Sequence, residues 1–267
     1  MKKINRIIYA LVILLMAAGT AAAQDDLRVP LSNPGKEGKL KLNAVFADDI
    51  TVKAHSGNDV IVIFDGDDDD RRDNYNRNGL RRISTSGVGL EVTEDNNIVS
   101  IKTSPNSHDL DLEVLVPRNF SLDIQVTHGD LTIDGVTGEH EVKATNGDVE
   151  MTRIGGSVVV NSVNGDIEVE MVSVIPNTPM SFTGLNGDID VAFPSGTKFT
   201  AKMKTDYGDV YTNFDMAIDR SAGSSEITSG NGKYTVTVNK WITGSVNGGG
   251  PEFLFKTLHG DIEISKN

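Results

Sequence analysis

Carboxylates recur along this chain at a spacing that could gather them. Asp148, Asp166 and Asp188 each follow a glycine, and Glu150, Glu168 and Asp190 each stand two residues further on. Brought into register, they would form two adjacent rows of acids. Such rows could hold a divalent cation through oxygen ligands, or supply the paired carboxylates of a polysaccharide lyase or hydrolase. They also have a plainer reading as solvated turn and face residues. Two like charges about 4 Å apart in water repel by only about 1 kcal/mol, so stacking needs no ligand to make it tolerable. The plainer reading is preferred.

The acids belong to a phrase written six times: His128-Gly129-Asp130-Leu131, Asn146-Gly147-Asp148-Val149, Asn164-Gly165-Asp166-Ile167, Asn186-Gly187-Asp188-Ile189, Tyr207-Gly208-Asp209-Val210 and His259-Gly260-Asp261-Ile262. The glycines lie 18, 18, 22, 21 and then 52 residues apart. A near-constant period of this length signals a repeat architecture. Glycine accepts positive φ and asparagine tolerates it, while the aspartate side chain can accept hydrogen bonds from nearby turn amides. After each turn apolar and polar residues alternate, which is the period of a strand with one buried face. The expected inward pairs are Leu131/Ile133, Val149/Met151, Ile167/Val169, Ile189/Val191, Val210/Thr212 and Ile262/Ile264. Thr132, Glu150, Glu168, Asp190, Tyr211 and Glu263 face outward.

Other chemistry is thinly represented. His128 and His259 fill the slot held elsewhere by Asn146, Asn164, Asn186 and Tyr207, so they read as turn substitutes rather than ligands. His55, His108 and His140 share no ligand spacing. There is no Gly-x-Ser-x-Gly elbow, phosphate loop or His-Glu-x-x-His, and no cysteine for thiol catalysis, thiolate metal sites or disulfides. The acid run within Asp65–Arg82 lacks the alternate-position acids and closing glutamate of a calcium loop; with almost nothing to bury, it predicts a mobile loop. Trp241, between Val238 and Ile242, predicts a packed strand residue rather than a sugar platform.

Residues 1–23 carry a basic start (Lys2, Lys3, Arg6), an apolar run Ile7–Met16 and Ala21-Ala22-Ala23, the pattern of a cleaved signal peptide. The mature chain then holds no transmembrane segment and is exported, to periplasm or cell surface. Losing three basic residues moves the formal charge from −13 to −16, which argues against nucleic acid or an anionic membrane as partner. Residues 24–39 read as an extended leader broken by Pro30 and Pro34, and residues 40–267 as one all-β domain. Leu90–Thr93 and Ile98–Ile101 flank Glu94-Asp95-Asn96-Asn97 as a hairpin. Strand, proline corner, strand and Gly-Asp turn follow twice, at Val116-Pro117 and Phe193-Pro194.

Two architectures fit the repeat: a parallel β-solenoid of about 18–22 residues per coil, or an antiparallel meander or sandwich with each Asn-Gly as a hairpin turn. The solenoid is preferred, because stacked coils explain why one turn position keeps its residue types. Crossover sterics make a right-handed coil the default. Val116-Pro117, the repeated Asn-Gly-Asp-Ile/Val, and the closing Asn247-Gly248-Gly249-Gly250-Pro251 with Thr257-Leu258-His259-Gly260-Asp261-Ile262 resemble the DUF4097 group of bacterial adhesin-like proteins. The resemblance spans roughly Leu40 to Ile264. It implies an exported β-solenoid-like domain and brings no catalytic residues and no cofactor. The expected function is that of a non-catalytic envelope or surface protein, an adhesin, whose sheet faces contact a partner protein or glycan. A carbohydrate-active enzyme built on the acid rows is the alternative.

Overall fold

A computed structural model describes residues 25–66, 89–104, 110–219, 225–230, 233–238 and 241–267. The expected signal peptide, His108 and most of the loop expected at Asp65–Arg82 lie outside the described residues. Alternating sequence becomes strand throughout, with no helix among the described residues. The first strands are β1 (Asp25–Pro30), β2 (Gly38–Ala44), β3 (Asp49–His55), β4 (Asp59–Gly66), β5 (Leu90–Asp95), β6 (Ile98–Thr103) and β7 (Leu110–Pro117). Next come β8 (Phe120–His128), β9 (Asp130–Asp134), β10 (Thr137–Asn146), β11 (Val149–Asn164), β12 (Ile167–Val174), β13 (Met180–Thr183), β14 (Ile189–Phe193) and β15 (Phe199–Tyr207). The chain ends with β16 (Val210–Thr212), β17 (Met216–Asp219), β18 (Ser225–Gly230), β19 (Lys233–Val238), β20 (Ile242–Val246), β21 (Glu252–His259) and β22 (Ile262–Lys266). Strands β18 and β19 form a separate antiparallel hairpin.

The other strands make two ladders that face each other across one core. The first runs β5–β6–β2–β8–β10–β11–β13–β21–β15–β20–β17. The second runs β1–β4–β7–β3–β9–β11–β12–β14–β22–β16. Strand β11 serves both: Val149–Thr152 pair with β9, and Gly155–Asn164 pair with β10, with register shifts between Met151 and Gly155. Each Gly-Asp turn carries the chain from the first ladder to the second.

The core is built from rows of residues in register. On the second ladder Ile50, Leu131, Val149, Ile167, Ile189 and Ile262 stack. On the first, Ile101, Leu42, Ile124, Val142, Val160, Phe182, Phe255 and Met203 do the same. All are buried. Phenylalanines fill the carboxy-terminal part, with Phe182 stacked on Phe255 at 5.2 Å and Phe199 on Phe253 at 4.8 Å. Offset ring pairs of this kind add to the burial of area.

Parallel pairing of successive repeats excludes the meander for this stretch, since Glu150 pairs directly with Glu168. The stack departs from a plain parallel solenoid in several ways. The stack does not follow chain order: the coil β21–β22, with the sixth Gly-Asp, lies between the fourth and fifth copies, and the coil β2–β3 lies between β6–β7 and β8–β9. Nor is it purely parallel. Antiparallel strands β5, β4 and β1 finish one end, and β20 and β17 finish the first ladder at the other, covering edges that a bare solenoid would expose. The β5–β6 hairpin turns on Asn96 and Asn97 at φ 53° and 63°, the left-handed pair a two-residue turn requires. Finally, Val210 is only half-buried and Thr212 exposed, because β16 is the last strand of its ladder and has a neighbour on one side. The stretch read as a leader contains β1, paired with β4.

The register makes a sharp prediction. Ile167 is 1 % exposed between Val149 and Ile189, whereas Glu168 faces water. Ile167→Ala should lower stability by about 2–5 kcal/mol, and Glu168→Ala should change it by less than about 0.5 kcal/mol. Denaturant unfolding of the two variants checks this; equal losses would contradict the alternation.

Candidate functional site

At five of the six Gly-Asp turns the backbone N–H of glycine donates to the slot residue's carbonyl one coil on: Gly129 to Asn146, Gly147 to Asn164, Gly165 to Asn186, Gly187 to His259, Gly260 to Tyr207. The residue after each aspartate donates to the next aspartate's carbonyl. The aspartate's own N–H lies between these two, and the neighbouring carboxylate takes it. Asp148 N–H donates to Asp130 Oδ1 at 2.9 Å, Asp166 to Asp148 and Asp188 to Asp166 at 2.8 Å, Asp261 to Asp188 at 2.7 Å, and Asp209 to Asp261 at 2.8 Å. A hydrogen bond to a charged group contributes roughly 1.5–3 kcal/mol, which outweighs the roughly 1 kcal/mol repulsion between neighbouring exposed carboxylates. The turn amide that each aspartate side chain serves is thus the one on the next coil.

The glycine is required twice over. Gly165 sits at φ 138°, and a Cβ added there would lie 2.1 Å from the carbonyl oxygen of Gly147. Coils approach so closely at this point that no side chain fits.

The slot before glycine makes its own ladder. Asn164 Nδ2 donates to Asn146 Oδ1 at 3.0 Å, Asn186 Nδ2 to Asn164 Oδ1 at 2.8 Å, and His259 Nδ1 lies 3.1 Å from Asn186 Oδ1. Rings close both ends. Phe46 stacks on His128 at 4.9 Å, and Tyr207 on His259 at 4.7 Å with 9° between the planes. Phe46 is a slot residue outside the motif, because Ala47-Asp48-Asp49 stands where the other turns have Gly-Asp. The signal was the Ile50-Thr51-Val52 strand that follows it.

The outer acids also fall in register. Glu150, Glu168, Asp190 and Glu263 form one row on the second ladder, between Thr132 and Tyr211. Glu168, Asp190 and Glu263, with Glu170, Ala192 and Ser265, line an open cleft of about 360 Å³. Asp190 is exposed, yet partial withdrawal from water, followed by the charges of Glu263, Asp188, Glu168 and Asp166, pushes its carboxyl above the usual range. Among the described residues no three acid or histidine side chains are placed to hold a metal ion. The two acid rows stack in register, the inner one through the turns and the outer one along the second ladder.

The remaining candidates are spread out. Half-buried Trp241 precedes β20 and has the ammonium groups of Lys202 and Lys204 at 5.2 and 5.9 Å from its ring. His55 closes its own turn, with Nε2 2.8 Å from the Asp59 carbonyl.

The family model described as Toastrack DUF4097 matches residues 29–241. The chain belongs to the DUF4097 family. No curated protein matches this DUF4097 chain. Among solved structures it is similar to a "putative cell adhesion protein" from Clostridium sporogenes at 13 % identity and TM-score 0.44, over 91 % of this chain and 99 % of that one. Among the described residues no helix is long and apolar enough to cross a membrane.

His140 is a core residue, in phase with Val142 and Ala144 and stacked between Leu122 and Val158. Nε2 lies 3.2 Å from the Gly155 carbonyl and Nδ1 has no partner. Burial lowers its pKa from 6.5 to about 4, against the opposing pull of that carbonyl. Between these values the unfolded chain binds a proton that the folded chain refuses, so this contribution is intact above pH 6.5 and is lost as pH falls towards 4. His140→Leu should therefore be at least as stable as the parent at pH 7. Its lead should widen by up to about 3 kcal/mol on acidification to pH 4. Urea titrations across this range test it; a lead independent of pH would contradict the buried neutral imidazole.

Proposed function

We propose that this protein is an exported, non-catalytic envelope or surface protein that acts as an adhesin, presenting the outer faces of its right-handed coil stack to a partner protein or glycan. One observation carries the reading. The motif's repeated chemical groups are consumed by the stack itself, glycine and aspartate by the turns and asparagine by its ladder. What remains for function is therefore the solvated exterior. Stacked repeats generate extended surfaces of this kind, and the amino-terminal signal pattern supports export. The acidity of the second ladder's face disfavours nucleic acid and favours a partner that tolerates or complements negative charge.

A second reading, a carbohydrate-active enzyme, is favoured by the cleft that Glu168, Asp190 and Glu263 line together, where partial burial and the neighbouring charges push the Asp190 carboxyl upward.

Affinity capture from envelope extract with residues 24–267 tests the first reading. A specific partner should be retained, and should be lost or weakened when Glu150, Glu168 and Glu263 are changed together to lysine. Depolymerisation of a uronic-acid polysaccharide that disappears in Asp190→Asn would overturn it in favour of the second.

A further inference from the structure

The turn ladder stops at Tyr207–Tyr211, and its last rung is built differently from the rest. In the five preceding motif turns the glycine N–H, the aspartate carboxylate and the next N–H all bond the following coil. Strand β16 pairs only with β22, so among the described residues Gly208 N–H, Val210 N–H and the Asp209 carboxylate have no following coil to bond. The slot residue here is an aromatic ring. Tyr207 is held on its inner side by the parallel ring of His259 and is 67 % exposed. Tyr211, 51 % exposed, follows two residues after Asp209, whose charge, with that of Asp261, pushes its phenol pKa up.

We propose that this rim is a saccharide-binding site, in which a hexopyranose ring of a glycan lies on the open face of Tyr207 and directs its hydroxyls at Asp209, Gly208 and Val210. The negative face of a tyrosine ring attracts the polarised C–H face of a sugar, and the ring's rigid mounting costs little entropy on binding. A carboxylate accepts sugar hydroxyls through charge-assisted bonds, and the two adjacent amides donate to others. The rim suits this occupant better than a polypeptide. Strand addition needs a longer edge, and here the chain turns away at once: Thr212 Oγ1 donates to the Ile264 carbonyl, Phe214 N–H donates to Thr212 Oγ1, and Lys266 N–H donates to Asn213 Oδ1. A single turn also falls well short of the roughly 800 Å² per partner of a stable protein interface.

This inference deepens the adhesin reading and rests on it, but the two fail separately. Residues 24–267 would be titrated with a panel of methyl hexopyranosides and followed by NMR. At least one glycoside should move the Gly208 and Val210 amides and the Tyr207 ring protons. Affinity should fall on the order of tenfold in Tyr207→Ala and in Asp209→Asn, and persist in Tyr207→Phe. Absence of shifts at this rim with every glycoside overturns the proposal, as do shifts that survive Tyr207→Ala. Rim shifts that grow with protein concentration alone also overturn it, by assigning the rim to a second copy. Envelope capture that persists in the Tyr207→Ala, Asp209→Asn double variant would sink this site and leave the wider reading standing.

Discussion

Everything in this molecule depends on how closely one Gly-Asp turn can lie on the next. Strand spacing along a ladder is about 4.8 Å, and a turn stacked at that spacing sets backbone against backbone. The carbonyl of Gly147 occupies the space where a side chain on Gly165 would be. The same closeness brings each carboxylate within 2.7–2.9 Å of an amide on the neighbouring coil. One constraint thus selects glycine for the lack of a side chain and aspartate for a short one ending in an acceptor. The apolar residues that follow are then delivered in register to the core, and the acids beside them in register to water.

The order of the coils bears on how the protein is assembled. A solenoid that stacks in chain order can grow from one end, each coil adding to the last. Here the coil β2–β3 and the coil β21–β22 are each seated between coils distant in sequence. Thr257 Oγ1 bonds the Gly187 carbonyl, and Asn267 Nδ2 the Met171 carbonyl 96 residues away. Contacts of such separation slow folding. They also seat the carboxy-terminal coil inside the stack, so that fraying does not begin there, whereas β1 lies at the edge of its ladder against β4.

Much of this was readable from residues alone. The repeated Gly-Asp, the in/out alternation at Ile167-Glu168-Val169 and the Asn96-Asn97 hairpin are local signals with local causes. The wedged coils were not readable, because nothing in the sequence around His259 tells which two turns will enclose it; complementarity across the core decides. Phe46 escaped because its turn carries Ala47 and an extra residue in place of the motif. His140 could have been recognised, since it is in phase with Val142 and Ala144, but a polar type at an inward position masked the alternation. Of the candidate site, the stacked acids were foreseen and the open rung at Tyr207–Tyr211 was not. Its openness comes from being last in space while fifth of six in sequence.

The central claim is that each aspartate carboxylate holds the amide of the aspartate one coil on. Residue-resolved hydrogen exchange at the Asp188 amide tests it most directly, because only the Asp166 side chain accepts from that N–H. The account predicts slow exchange at Asp188 in the parent protein. In Asp166→Ala exchange there should be faster, while Asp148, whose acceptor is Asp130, stays protected. Exchange at Asp188 at the rate of an unstructured peptide in the folded parent would contradict it.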